Sequence, residues 1–228
     1  TITVNSRELA TLLASPDHIK NLVTGFLYTA GLLQEISSFK SIIIDRDRWN
    51  VITEIDDYAF NQELVFKRVY TSGCGKGVIF HNPIDLLHRT KMDNMFSMES
   101  LALSELMKKF QTWSREHSVT RGVHSGALAS CDGILIFRDD IGRHNALDKV
   151  IGEALSTGTD FTDKILLTSG RISSEILSKV LRCRMPVIAA IGSPTNQAVK
   201  LARDANLTLV GNVRGGRMNI YSSEERIC

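Results

Sequence analysis

One thiol stands in the run TSGCGKG, residues 71–77, among three glycines, two small hydroxyl residues and a lysine. None of these neighbours has the bulk to bury Cys74. Lys76, two residues on, can stabilise the thiolate, which is the reactive form of a cysteine. Gly73, Gly75 and Gly77 let the backbone take positive φ and swing. An exposed thiol flanked by a cation suits a carrier or a nucleophile. The same residues would also make a tight turn with an incidental cysteine.

A second collection of chemistry lies in the latter half of the chain. After the apolar run ILIF comes RDDIGRHNALDK; after ILL comes TSGRISSE; after VIAAI comes GSPT; after LTLV comes GNVRGGR. In an open α/β sheet, ligands bind beyond the carboxyl ends of the strands. Three of these junctions enter a helix through Ser, Thr, Gly or Asn, leaving free backbone N–H groups and a positive dipole end toward the ligand space. Arg143, Arg171, Arg214 and Arg217 add planar cationic forks that suit phosphate. Taken singly, GSPT and TSGR read as ordinary helix caps and RGGR as a turn or a solvated basic patch. On one sheet edge together they suit a phosphorylated ligand, a nucleotide or dinucleotide. The binding candidates are Thr168, Ser169, Arg171, Ser193, Thr195, Asn212, Val213, Arg214, Gly215, Gly216 and Arg217, with Arg143, His144 and Asn145 from the densest polar run. His144 and Asp148 are four apart and share a helix face if the helix starts by Gly142. That run could recognise a base or move a proton, or could be a capped helix with surface pairs. His124, in GVHSG, is a further candidate for the cleft, and a structural role for it stays open.

The elements that would position these groups follow from pattern. In residues 1–95, ITVN reads as a strand, and Ser15-Pro16 as an N-cap and first-turn proline for a helix through HIKNLVTGFLYTA, stopped by Gly31. SSFKSIIIDRD and WNVITEI read as a strand pair, and LVFKRVY as a further strand leading into the Cys74 loop. Residues 78–95 form a connection. From Ser97 the rhythm changes: Leu101, Leu103, Leu106, Met107, Phe110 and Trp113 mark a long amphipathic helix. GVHSGALAS and ILIF flank Cys131-Asp132-Gly133, a hairpin turn. Strand and helix then alternate to a last strand, MNIY. Single helices between strands imply right-handed crossovers and a largely parallel sheet, which the opening hairpin makes mixed. The expected fold is α/β, with a small N-terminal α+β region (1–95) carrying Cys74 and an α/β binding domain (96–228).

Composition narrows the partners. The 228 residues are 43% hydrophobic and 23% charged, enough for a sizeable core. A net charge of +2 is too mild for duplex nucleic acid. No apolar run has spanning length, which speaks against a membrane, and no signal peptide is visible. The chain opens abruptly in TITVN, as if a segment preceded it. Cys74, Cys131, Cys183 and Cys228 show no paired spacing, so neither a disulfide framework nor a zinc site is suggested, and a reducing cytoplasm fits best. Cys131 and Cys183 sit in apolar surroundings and are expected in the core; Cys228 is terminal. No resident metal is expected: His124 lacks a following H-x-E acid and there is no P-C-x-x-C, which disfavours a zinc deaminase. Walker A and G-x-S-x-G motifs are absent.

HSGALAS, DDIGRHNALDK, TSGRISSE, AAIGSPTNQAVKLA and LTLVGNVRGGRMNIY closely resemble the formate dehydrogenase accessory sulfurtransferases, the FdhD family. ITVN, LVTGFLYTAGLL and TSGCGKG match in order, so the resemblance spans essentially the whole chain. It implies a larger domain of three αβα layers, like cytidine deaminases without their zinc, and a homodimer. It also implies a sulfur carrier that accepts persulfide sulfur from a cysteine desulfurase and passes it to the molybdenum bis(molybdopterin guanine dinucleotide) cofactor of formate dehydrogenase, with GDP as a mimic of half of that dinucleotide. In this family the loop commonly carries C-x-x-C. Here Cys74 matches the first cysteine and Gly77 stands at the second, so a dithiol relay within the loop is closed and a single-thiol carrier remains. A cofactor-binding chaperone without thiol chemistry is the rival.

Overall fold

The structure is a computed structural model and describes residues 1–57, 60, 68–70, 78–80, 91–92 and 96–228. Cys74 and its loop lie outside the described residues, as do most of the expected 78–95 connection and the front of LVFKRVY.

The N-terminal region holds a sheet of β1 (Ile2–Val4), β2 (Arg7–Ala10), β3 (Phe39–Asp45) and β4 (Asn50–Ile55), in the order β2-β1-β4-β3. The strand pair expected from IIID and VITEI is β3–β4, antiparallel, while β1 and β4 run parallel. NVITEI alternates as a half-buried strand should: Val51, Thr53 and Ile55 are buried, Ile52 and Glu54 exposed. Helix α1 (Ile19–Thr29) packs Val23, Phe26 and Leu27 into the same apolar cluster. Gly31 follows it with a φ of 78°, the left-handed conformation that stops a helix. A short pair, β5 (Arg68–Tyr70) with β6 (Val78–Phe80), is antiparallel.

The second region is built on a six-stranded sheet. Its strands are β7 (His124–Ser130), β8 (Gly133–Asp140), β9 (Ile165–Thr168), β10 (Val187–Ala190), β11 (Thr208–Arg214) and β12 (Arg217–Ser222). Their order is β12-β11-β10-β9-β7-β8. The centre, β9, β10 and β11, is parallel; the β7–β8 hairpin at one side and β12 at the other are antiparallel. ILLT and VIAA are buried on every residue, as strands covered on both faces must be.

One face carries α4 (Arg143–Ser156), α5 (Ser174–Arg182) and α6 (Asn196–Asp204), whose apolar stripes meet Leu128, Leu166, Ile188 and Leu209. The other carries α2 (Ser100–Trp113), where Leu103, Leu106, Met107 and Phe110 meet Ala127, Ile165, Leu167 and Val210. The short α3 (Arg115–Thr120) follows, capped by the Ser114 hydroxyl accepting from the His117 N–H. The second region therefore has the expected helix–sheet–helix layering. Of the residues that marked α2, Leu101 and Trp113 lie on its exposed side, and Trp113 stacks on Phe137. No helix among the described residues is long and apolar enough to cross a membrane.

Two corrections concern local signals. Ser15-Pro16 does not cap α1, which begins after His18. Instead Ser15 donates its backbone N–H to Asp140 Oδ2 at 3.1 Å and accepts the Ile141 N–H on its hydroxyl at 3.2 Å. A partner 125 residues away has outcompeted the local cap. Cys131 is exposed in the β7–β8 turn rather than in the core, because a two-residue hairpin loop has nothing packed over it; Cys183 is buried as expected.

Helices α1 and α4 cross with their backbones touching. A Cβ on Gly152 would fall 1.9 Å from the Asn21 carbonyl oxygen, and one on Gly25 would fall 1.9 Å from that of Asp148. Only hydrogen at both positions permits this approach. It brings the N-terminal region onto the helix that opens with DDIGRHNALDK.

Candidate functional site

The antiparallel start of β7 and the carboxyl ends of β9, β10 and β11 reach one edge of the sheet, and glycines fuse the loops there into a single ledge. A Cβ on Gly170 would crowd the Arg143 side chain at 3.1 Å. One on Gly192 would meet the Gly170 oxygen at 2.7 Å, and one on Gly211 would meet Pro194 at 2.9 Å. Backbone hydrogen bonds run along the same line. Ser169 N donates to Ser125 O, Ile191 N to Thr168 O, Thr195 N to Ile172 O and Asn212 N to Gly192 O, at 2.9–3.2 Å. The signal for this ledge was in the sequence as a glycine just after β9 and β10, in TSG and AIG, and one within β11, in LVG.

The helices α4, α5 and α6 all begin at this ledge on one face, so three positive dipole ends converge there. Arg143 opens α4, and its Nε is buried without a hydrogen-bond partner. Beside it, His124 Nδ1 lies 3.5 Å from Ser169 Oγ, which accepts the Ser125 N–H at 2.9 Å. Burial, and then the positive Arg143, hold the His124 imidazole below its ordinary pKa, with smaller effects from His117 and His144. The imidazole is therefore neutral at pH 7. His144 Nε2 lies 3.5 Å from Glu175 Oε2, which also accepts from Ser173 Oγ at 3.1 Å. Contact with His144 is the main reason the Glu175 carboxyl stays ionised below the usual range. Glu175 carries the one carboxylate in this group, and nothing in the sequence pattern marked it.

The remaining candidates divide. Ser193 and Thr195 are exposed on the β10–α6 loop; Thr195 caps α6, accepting the Ala198 N–H at 3.2 Å, and Ser193 donates to Asn212 Oδ1 at 2.7 Å. Arg171 is exposed at the ledge. Thr168 is buried, its hydroxyl accepting the Gly170 N–H, so it shapes the loop from beneath. Val213 is a core residue under α2, with its carbonyl taken by Gln111, and offers no side chain to the edge.

Gly215 and Gly216, at φ 58° and 76°, form the two-residue turn of the β11–β12 hairpin between paired Arg214 and Arg217. Two successive left-handed residues are what such a turn requires, and this is why glycine stands at both positions. The two exposed arginines are carried at the tip, roughly 10 Å beyond the ledge at a strand's rise per residue.

Most of DDIGRHNALDK faces inward. Asp139 accepts from Ser114 Oγ and Ser125 Oγ, both at 2.6 Å. Asn145 is buried and donates to Leu13 O at 2.7 Å and Asp140 Oδ1 at 3.0 Å, so it ties down the N-terminal segment and is spent before a ligand arrives. Asp140 and Lys149 form a wholly buried ion pair at 2.8 Å. His144 and Asp148 do share a face, but it looks onto α5, where they meet Glu175 and Lys179. The motif leaves Arg143 and His144 as its side chains at the ledge.

The described cysteines sit away from this edge. Burial raises the Cys183 thiol far beyond thiolate formation at neutral pH. Cys131 lies at the far end of β7, about 20 Å from His124 at 3.4 Å per residue. Cys228 pairs through its backbone with Met98 and Ser100 at the start of α2, whose other end reaches Val213.

The sequence that builds this mixed-sheet α/β architecture matches, along all of residues 1–228, the FdhD/NarQ family. The chain belongs to that family. A relative in Listeria innocua named sulfur carrier protein FdhD is 38% identical, covering 100% of this chain and 88% of its own length. A relative of the same name in Bacillus subtilis is 36% identical, covering 100% and 87%. A crystal structure from Desulfotalea psychrophila, provisionally assigned as a formate dehydrogenase accessory protein, superposes with a TM-score of 0.79 over 100% of this chain and 87% of its own, at 21% identity. It shares the fold.

Proposed function

We propose that this protein is a sulfur carrier, a sulfurtransferase of the persulfide type, serving formate dehydrogenase. The observation that carries the reading is the match along the whole chain to relatives named for sulfur carriage, with Cys74 in the glycine-rich, lysine-flanked run TSGCGKG. The Cys74 thiolate would attack the outer sulfur of a cysteine desulfurase persulfide, forming a persulfide on Cys74 and releasing the desulfurase thiolate. The S–S bond on Cys74 would then break, returning the Cys74 thiolate, as the outer sulfur passes to the client, molybdenum bis(molybdopterin guanine dinucleotide), whose reduced metal would supply the two electrons that make it a sulfide; a guanine nucleotide end of that client would lie on the ledge. Burial of Cys183 and the distant placement of Cys131 and Cys228 support assigning the step to Cys74. A reducing cytoplasm keeps that thiol free. Gly77 in place of a second cysteine favours one rival, a cofactor-binding chaperone with no covalent sulfur step.

The ledge half of the proposal is tested with GDP as a stand-in for one end of the client. Calorimetry at low salt is expected to show binding that weakens as salt rises, because charge-assisted contacts to Arg143 and the helix N-termini dominate. Absence of heat at low salt would remove the nucleotide from the account.

A further inference from the structure

In the N-terminal sheet, β3 is an edge strand: it pairs with β4 on one side and with no strand on the other. An open edge is a template for pairing with another chain, and folds blunt it with charge or proline. Over residues 41–45 β3 does the opposite. Ile43 is 58% exposed and Ile44 39%, and Ile52, opposite Ile43 on β4, is 38% exposed. Lys40, which could guard the edge, is taken by Asp56 at 2.7 Å. The turn after β3 adds Trp49, 77% exposed at a φ of 52°. A bulky side chain is disfavoured in the left-handed region, where glycine or asparagine would make the turn with less strain. Neither the turn nor burial accounts for a tryptophan at that position.

We infer that two copies of this chain join along β3, antiparallel about a two-fold axis at Ile43, so that two four-stranded sheets become one. Directly opposed side chains of an antiparallel pair share a face, so a two-fold pair of this kind is centred on a residue. The run Ser-Ile-Ile-Ile-Asp, residues 41–45, is complementary to its own reverse. Centred on Ile43, each Ile42, which packs on the apolar cluster, faces the partner's Ile44. On the outer face Ile43 meets the partner's Ile43, with Ile52 beside it. Each Ser41, whose hydroxyl has no partner among the described residues, comes opposite the partner's Asp45 as a donor to a carboxylate. Centring on Ile42 would set Lys40 against the partner's Ile44, and centring on Ile44 would set Asp45 against the partner's Ile43. The middle register alone puts apolar on apolar and polar on polar. It also brings Trp49 level with the single 3-10 turn formed by the partner's Ile36, the partner's Ser37 and the partner's Ser38. A tryptophan there is the kind of anchor that dominates interface energies.

Analytical ultracentrifugation of the full chain, with folding checked by circular dichroism, tests the interface. The wild-type protein should sediment as a dimer. Ile43→Arg sets two like charges opposite each other on the axis and should weaken association by about 100-fold or more. Trp49→Ala should weaken it by about 10-fold or more. Copper–phenanthroline oxidation reads the register. Ile43→Cys should give an inter-chain disulfide mapped to residue 43, because opposed Cα atoms lie about 4.5–5.5 Å apart, within disulfide range. Ile44→Cys, two residues out of line with its own mate, should not. The inference is overturned if the wild-type chain is a monomer at about 100 μM, where a micromolar dimer would be nearly saturated. It is overturned equally if folded Ile43→Arg protein still dimerises, or if Ile44→Cys cross-links in preference to Ile43→Cys. Should the Arg variant fail to fold, the two cysteine variants decide the matter alone.

Discussion

Replacing Cys74 by serine is expected to abolish activation of the partner formate dehydrogenase while GDP binding stays at the wild-type level. The hydroxyl is close to the thiol in size, so a loop of glycines and small residues accepts it. What serine lacks is an anionic sulfur that can take on and release a second sulfur atom. The ledge is made of residues 124–221 and their glycine contacts, so nucleotide binding has no reason to follow the thiol. Activity of the dehydrogenase matured in cells carrying only the Cys74→Ser protein is the measurement. Full activity would defeat the carrier reading and leave the chaperone standing.

The largest structural effect is expected at Lys149. Its side chain is fully buried, 2.8 Å from the equally buried Asp140, and it also reaches Ser15 O at 3.2 Å and Asp17 Oδ1 at 3.1 Å. Asp140 in turn holds Ser15 N, Gly142 N and Asn145 Nδ2. Lys149→Met would preserve the packing volume and leave the Asp140 carboxylate without its cation. Removing one partner of a buried pair costs about 3–5 kcal/mol. Urea unfolding should show that loss, and digestion should show earlier release of residues 1–17. A change below about 1 kcal/mol would mean that water or the N–H donors around Asp140 already balance its charge.

How much of this was legible beforehand depended on range. KILLTS, PVIAAIG and LTLVGN are apolar runs bounded by polar junctions, and each became a buried strand with its ligand-side loop at one edge. The hairpin around Cys131-Asp132-Gly133 and the helix from Ser100 were equally local signals. The errors came from partners far away in the chain. Ser15 looked like a helix cap and Asn145 like a ligand contact, yet each is bound to the other region, Ser15 to Asp140 and Asn145 to Leu13. A dense polar run looks the same whether it faces a ligand or a buried ion-pair network. Cys131 misled because apolar flanking residues say nothing about a side chain at the tip of a turn.

In the carrier reading a sulfur atom rides on Cys74. Mass spectrometry of the intact protein after incubation with a cysteine desulfurase and cysteine, followed by peptide mapping without reductant, reads this directly. One added sulfur atom is expected, on the peptide bearing Cys74, absent from the Cys74→Ser protein and removed by a thiol reductant. An unmodified Cys74 under conditions in which the desulfurase itself carries persulfide, or an added sulfur on Cys131 or Cys228 instead, would contradict it.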